Sequence, residues 1–300
     1  MIPLITHPLY SYNFDSKHRF PMEKFGLISA YLREKNILTR ENCYRPGRAK
    51  DSVLALAHCE DYLHRFIHNQ QSAKEIRRMG LPWSEGLVTR TLLSPNGTLL
   101  AASLALRHGI ACHLAGGTHH AHRDFASGFC ILNDLAVASL ALIHLGKVKR
   151  ILIFDCDVHQ GDGTASILEN EDRIVTCSIH CEKNFPVNKA QSNVDIGLEK
   201  GMKDDAYLDV VTNTLTKLLD DVEPCLVFYD AGVDIYEHDP LGLLSISEPG
   251  IRERDRQVLS ICQNRKIPVI TVIGGGYDND RKALARRHSM VTEEAHKLFA

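Results

Sequence analysis

Residues 151–163 read Ile-Leu-Ile-Phe-Asp-Cys-Asp-Val-His-Gln-Gly-Asp-Gly. Four apolar residues, Ile151 to Phe154, run straight into Asp155-x-Asp157-x-His159 and then into Gly161-Asp162-Gly163. Such a run, followed by glycines, predicts a strand buried on both faces, as in a parallel sheet. Side chains alternate along a strand, so Asp155, Asp157 and His159 are expected on one side. A polar turn at a strand end would hold similar residue types. Two carboxylates beside a histidine, however, repel one another unless a cation lies between them. Metal binding is the stronger reading.

Working outward, short apolar runs alternate with longer amphipathic ones. Strands are expected at Ile110–Leu114, Arg150–Phe154, Ile174–Ile179, Cys225–Tyr229 and Pro268–Ile273, with helices at Asn133–Leu145, Asp205–Leu219 and Gly250–Asn264. Strands spaced by helices of this length imply crossover units in an α/β fold: an open, mainly parallel sheet with helices on both faces. The first hundred residues read as more helical, with candidates at Glu23–Glu34 and Ser52–Ile67. No linker, repeat or low-complexity tract appears, so residues 1–300 are expected to form one domain.

A polar cluster follows each predicted strand: Gly116-Gly117-Thr118-His119-His120, the Asp-x-Asp-x-His motif, Ser178-Ile179-His180, Asp230-Ala231-Gly232-Val233-Asp234 and Gly274-Gly275-Gly276-Tyr277. Ligands bind outside the carboxyl ends of strands in open parallel sheets. These loops should therefore meet on one rim.

Asp157, His159 and Asp234 make a two-carboxylate, one-imidazole set. Three protein ligands leave a fourth position open, as in catalytic rather than structural zinc. Asp155 stays open between a partner behind the site, a ligand for another cation and part of a two-metal centre. One catalytic metal is favoured, because a two-metal hydrolase of the arginase type would want Asp-x-His-x-Asp. His119 and His120, on a tight glycine loop, suit acid–base work on an attacking water and a leaving group. Asp155 and Asp162 are the carboxylates available to orient them. Tyr277, after three glycines, can donate to a developing oxyanion. No dinucleotide fingerprint, phosphate-binding lysine loop or serine-nucleophile elbow occurs.

The chain has a formal net charge of −2 and no basic run, which argues against direct nucleic-acid binding. No apolar run approaches the ~18–20 residues of a membrane span, and no leader pattern opens the chain. The nine scattered cysteines, several in strand-like runs (Cys112, Cys177, Cys225), fit buried thiols in a reducing compartment. A cytoplasmic protein is expected, with no membrane association.

With these residues in hand, the chain resembles zinc-dependent histone deacetylases of the arginase–deacetylase fold. The matching pieces are Gly116 to Ala121, Ser127-Gly128-Phe129-Cys130, Asp155 to Gly163, Gly232-Val233-Asp234 through Asp239-Pro240-Leu241-Gly242, and Gly274 to Tyr277. Leu243 to Ser247 and His159-Gln160-Gly161 resemble class IV in particular. The resemblance implies zinc on Asp157, His159 and Asp234, with His120 as general base and acid and His119 as its electrostatic neighbour. It places Asp155 and Asp162 behind the histidines and Tyr277 on the acyl carbonyl. Gly128, Phe129 and Phe185 would wall the acyl-lysine tunnel. A structural potassium ion would sit at Asp155, Asp157, His159, Ser178 and Ile179.

The implied reaction is hydrolysis of an acyl-lysine amide, acetyl or longer, in a protein or peptide. A small acylated amine such as an acetylpolyamine is the alternative substrate, and a non-catalytic acyl-lysine reader the alternative role. Two departures matter. Asp162 stands where several class IV relatives have Asn, and the stretch Met79-Gly80-Leu81-Pro82-Trp83 lacks the aspartate with which class I members hold the substrate backbone. Trp83 could belong to the core or to the rim.

Overall fold

The computed structural model describes all 300 residues. Every residue of Ile151–Asp155 is buried, as an apolar strand with both faces covered requires. This strand, β4, lies inside an eight-stranded, wholly parallel sheet ordered β2-β1-β3-β8-β7-β4-β5-β6. The strands are β1 Leu4–Ile5, β2 Cys43–Tyr44, β3 Ile110–His113, β4, β5 Ile174–Cys181, β6 Val194–Leu198, β7 Leu226–Asp230 and β8 Val269–Val272. The five expected strands are all present. β1, β2 and β6 were not expected.

Ten helices cover the sheet: α1 Lys24–Glu34, α2 Asp51–Leu54, α3 Glu60–Ile67, α4 Ala73–Met79, α5 Glu85–His108, α6 Asp134–His144, α7 Asp162–Leu168, α8 Asp204–Val222, α9 Glu248–Asn264 and α10 Arg281–Phe299. Helices α5, α6 and α7 pack as one layer, and α1, α8, α9 and α10 as the other, with β3 touched from both sides by α5 and α10. A continuous core of 81 buried apolar residues joins the layers.

Two expectations about local structure are corrected. The helix expected over Ser52–Ile67 is two helices. Between α2 and α3, Cys59 is extended, its N–H donates to the Arg123 carbonyl at 2.9 Å, and buried His58 turns inward to donate from Nδ1 to the His122 carbonyl at 3.0 Å. Strand β4 also ends at Asp155, so strand alternation does not align the motif. Two side-chain turns bend it instead: Asp155 Oδ1 accepts from the Asp157 N–H, and Asp157 Oδ1 from the His159 N–H, each at 3.0 Å.

All nine cysteines are free thiols. Cys225, expected to be buried, lies one residue before β7 and is exposed. Trp83 belongs to the core side: it packs against the apolar cluster and donates from Nε1 to the Phe66 carbonyl at 2.8 Å.

Candidate metal centre and active site

The ends of β3, β4, β7 and β8 open onto one inner cavity, with a free volume of about 40 Å³, that is lined by Gly116–His120, Asp157, His159, Asp234, Gly274, Gly275 and Tyr277. Four of the five expected loops meet there. Ser178–His180 does not, because β5 continues through it to Cys181.

Asp157, His159 and Asp234 bring their donor atoms together, all three buried. His159 Nδ1 lies 3.1 Å from Asp157 Oδ1 and 3.2 Å from Asp234 Oδ2. Donors held at ~2.0 Å around a tetrahedral zinc are spaced by roughly 3.3 Å. The remaining carboxylate atoms are anchored: Asp157 Oδ2 accepts from the Gly275 N–H at 2.6 Å, and Asp234 Oδ1 from the Val158 N–H at 2.9 Å. A Cβ on Gly275 would collide with both carboxylates, so only glycine lets this backbone come so close. Asp234 Oδ2 is buried with no hydrogen-bond partner. Burial alone would lower the His159 pKa, yet the hydrogen bond to Asp157 and the nearby charges of Asp157 and Asp234 raise it to about 10. The pocket demands positive charge, and the residues fit a divalent ion.

Behind these donors each neighbouring histidine is held by a carboxylate. His119 Nδ1 donates to Asp155 Oδ2 at 2.7 Å, and His120 Nδ1 to Asp162 Oδ1 at 2.6 Å. The pairs diverge electrostatically. For His119, the charges of Asp155 and Asp157 overcome burial and raise its pKa well above 6.5. For His120, burial and the charge of His119 overcome Asp162 and lower it to about 4. Burial opposes the ionised form of Asp162, yet hydrogen bonds from His120 and His122 hold it well below the usual carboxylate range. His122, whose Nε2 donates to Asp162 Oδ2 at 3.0 Å, was not picked out in the sequence.

A second convergent group, His119, Asp155 and Asp230, lies nearby. Two of its members are engaged with each other through the His119–Asp155 hydrogen bond. Asp230 is fully buried without a partner, and burial and the charge of Asp155 push its pKa well up. Asp155 and Ser178 stand in register on β4 and β5.

Tyr277 is buried and its pKa is raised well above 10 by burial and the charges of Asp234 and Asp157. Its loop is fixed by Asp239, which accepts the Tyr277 N–H at 2.7 Å and the Leu241 and Gly242 N–H groups at 2.8 and 3.1 Å. Gly128 and Phe129 both have positive φ, 53° and 66°. The Phe129 N–H donates to the Met79 carbonyl at 3.0 Å, which presents the ring to the cavity, 5.9 Å from that of Tyr277. Phe185 stands edge-on to His120 at 4.8 Å.

Several supports were missed in the sequence. Asp134 accepts the Gly117 and Thr118 N–H groups at 3.2 and 2.7 Å. Asn133 caps α6 and donates to the Ala121 carbonyl at 3.1 Å. Arg254, wholly buried in α9, donates to the Gly232 and Ala231 carbonyls at 2.7 and 3.2 Å. Lys24 and Arg90 bring two buried cations to the inner cavity, and burial, then the charge of Arg90, lowers Lys24 to about 8. The signal for Asp134 was its place at a helix start. Nothing local marks the cations.

Comparison with known proteins agrees with this architecture. Residues 18–295 match the family model of the histone deacetylase domain. An uncharacterized protein of Picosynechococcus sp. is 46% identical over 297 residues, 99% of each chain. Histone deacetylase 2 of Arabidopsis thaliana is 30% identical over 92% of this chain and 74% of its own length. Acetoin utilization protein AcuC of Staphylococcus xylosus is 28% identical over 95% and 80% respectively. The crystal structure of an HDAC homolog complexed with SAHA shares the fold, with a TM-score of 0.82 at 24% identity over 98% of this chain and 84% of that one.

Proposed function

The chain belongs to the histone deacetylase family, and from that premise we propose that it removes acyl groups, acetyl or longer, from the lysine side-chain amine of proteins or peptides, using one zinc ion. The family and fold make it a deacetylase-type hydrolase; the zinc, the acyl-lysine and the residue roles are our reading. The observation that carries it is the donor triangle of Asp157, His159 and Asp234 beside two carboxylate-backed histidines and Tyr277 in one cavity.

Asp157, His159 and Asp234 would hold the zinc, which when bound supplies Lewis acidity toward the acyl carbonyl and the attacking water. The remaining work falls to the chain. The carboxylate of Asp162 can only accept, so the Nδ1 proton of His120 is committed to it and Nε2 is left to take a proton. Burial keeps His120 neutral at neutral pH, which suits a base that receives the proton of water and returns it to the departing lysine amine. His119, charged against Asp155, disfavours a resting proton on His120. Tyr277 stays protonated and donates to the acyl oxygen as charge develops. Phe129 and Phe185, with Gly128, wall the lysine stem.

On the same reading Asp155, Asp157, His159, Ser178 and Ile179 hold a structural potassium ion, and Leu243–Ser247 with His159-Gln160-Gly161 mark a class IV-like member. Nine free thiols support a reducing, cytoplasmic setting, and no helix is long and apolar enough to cross a membrane. Binding of acyl-lysine proteins, with no direct nucleic-acid partner, completes the proposal. A polyamine substrate would want an acidic mouth, and no Asp or Glu lines this one.

The test is Tyr277→Phe, which removes one hydroxyl and keeps the ring. Turnover of acyl-lysine peptides should fall ~10²–10³-fold, about 3–4 kcal/mol of transition-state stabilisation. Metal content, melting temperature and KM should barely move. A variant working at the parent rate removes Tyr277 from the mechanism. A parent that binds a broad acyl panel and hydrolyses none of it is a reader.

A further inference from the structure

The mouth outside the inner cavity is cationic, although the chain as a whole carries a net charge of −2. Its free volume is about 610 Å³, and its walls include Arg19, Arg77, Arg78 and His18 but no carboxylate. The three arginines are exposed. None forms an ion pair: on α4, which carries Arg77 and Arg78, the one acidic side chain, Glu75, is taken by Arg65 at 3.1 Å and by the Ser72 N–H at 2.7 Å. Arg78 is held in place with its guanidinium 3.7 Å over the ring of Phe125. Arg77 and Arg78 sit in the last turn of α4, where a helix favours cations, so they are stable there without a carboxylate of this chain. Three arginines are thus left with unspent charge around the opening through which a substrate must pass.

This geometry bears on what flanks the scissile amide. Once a lysine stem has passed between Phe129 and Phe185, its own backbone lies in the mouth. An extended chain advances ~3.5 Å per residue, so the first two residues on either side stay within a Debye length of the rim, about 10 Å at 0.1 M salt. Resting on the acyl-lysine reading above, we propose that the mouth selects acylated lysines that carry carboxylates beside them and disfavours those flanked by cations. The carboxylates can be acidic side chains of a peptide or the α-carboxylate of a C-terminal acyl-lysine. Basic tails, in which acyl-lysine is flanked by Lys and Arg, would then be poor substrates.

The zinc-loaded enzyme is tested with three peptides differing only in the two residues on each side of the acyl-lysine: Glu, Gln or Lys. Nα-acetylated acyl-lysine with a free α-carboxylate, compared with the same compound amidated at that end, separates the two sources of carboxylate. One exposed ion pair changes affinity roughly 1.5- to 5-fold. Two such pairs, with repulsion on the other side, should put the Glu peptide about tenfold or more above the Lys peptide in kcat/KM, chiefly through KM. The span should shrink at ~0.5 M salt as exposed charges are screened. Arg77→Glu/Arg78→Glu should reverse the order of the Glu and Lys peptides. Values within twofold for all three peptides, or a preference that survives both salt and the double substitution, overturn the proposal. Anisotropy of the same peptides, fluorescently labelled, reads the rim without turnover. If none is hydrolysed, the acyl-lysine reading fails, while a Glu-over-Lys order in Kd still sustains the rim and its absence sinks it.

Discussion

Replacing Arg254 by methionine should loosen the metal centre from behind, without touching a ligand. The guanidinium is fully buried and donates to the Gly232 carbonyl at 2.7 Å, to Ala231 at 3.2 Å and to Asp255 Oδ1 at 2.9 and 3.0 Å. Gly232 and Ala231 lead into the segment that carries Asp234. Hydrogen bonds to charged groups are worth ~1.5–3 kcal/mol each, but removing the arginine also removes its own burial cost. The net loss should match that of a broken buried ion pair, about 3–5 kcal/mol. For a chain of this size that is roughly 5–8 °C in Tm. Much of the cost is the stranded Asp255 carboxylate, left with only the Tyr229 hydroxyl at 2.6 Å. Arg254→Met/Asp255→Asn should therefore recover ~1–2 kcal/mol relative to Arg254→Met alone. Burial already raises Asp255 with the arginine present. Without it the folded state holds a proton that the unfolded chain releases near pH 4, so the single variant should lose stability as pH rises above that value. Urea unfolding at several pH values, with zinc titration showing about 10–100-fold weaker binding, makes the test. A loss below ~1 kcal/mol, or no recovery in the double variant, would refute the reasoning.

Three further outcomes are expected. His58 accepts the Asn133 N–H on Nε2 at 2.9 Å, and burial lowers its pKa to about 4; the unfolded chain takes up this proton below ~6.5, so its stability is fully present above that pH and falls by roughly 3 kcal/mol toward pH 4. His58→Gln should flatten the loss seen by urea unfolding between pH 7 and pH 5, and an unchanged slope would exclude His58 as its source. A chelator should release about one equivalent of zinc, abolish turnover and lower Tm, whereas a need for two equivalents would contradict the mononuclear reading. A linear hydroxamate should inhibit competitively with acyl-lysine, and inhibition untouched by saturating substrate would separate the two sites.

The parallel strands were legible because burial on both faces leaves apolar runs such as Ile151–Phe154, and the chemistry because polar groups cluster just beyond them. β1 and β2 have two residues each, too few for a pattern, and β6 carries Asp195 and Gly197 among its five. Helix α5 contains Ser94-Pro95-Asn96-Gly97, a turn signal by composition. It stays helical because tertiary packing overrides local preference: a Cβ on Gly97 would strike Tyr10 and His113, so the missing side chain is what lets the helix lie against β3. The same competition split the helix expected over 52–67, where the Arg123 and His122 carbonyls claimed Cys59 and His58.

At the site the division follows sequence distance. Asp157, His159, His119, His120, Asp234 and Tyr277 could be named because each closes a recognisable strand-to-loop junction. Arg254 could not, because Arg252-Glu253-Arg254-Asp255-Arg256 has the composition of a solvated helix face. Arg252 pairs with Glu293 and Glu294 and Arg256 with Glu253, whereas Arg254 is wholly buried against carbonyls 22 and 23 residues away. The same ambiguity covers Arg77 and Arg78, which look like any exposed helix end until the fold sets them at the mouth. A charge's identity is local information. Whether it is buried, paired or left facing a substrate depends on which segments the sheet order brings together, and no single window of the chain contains that.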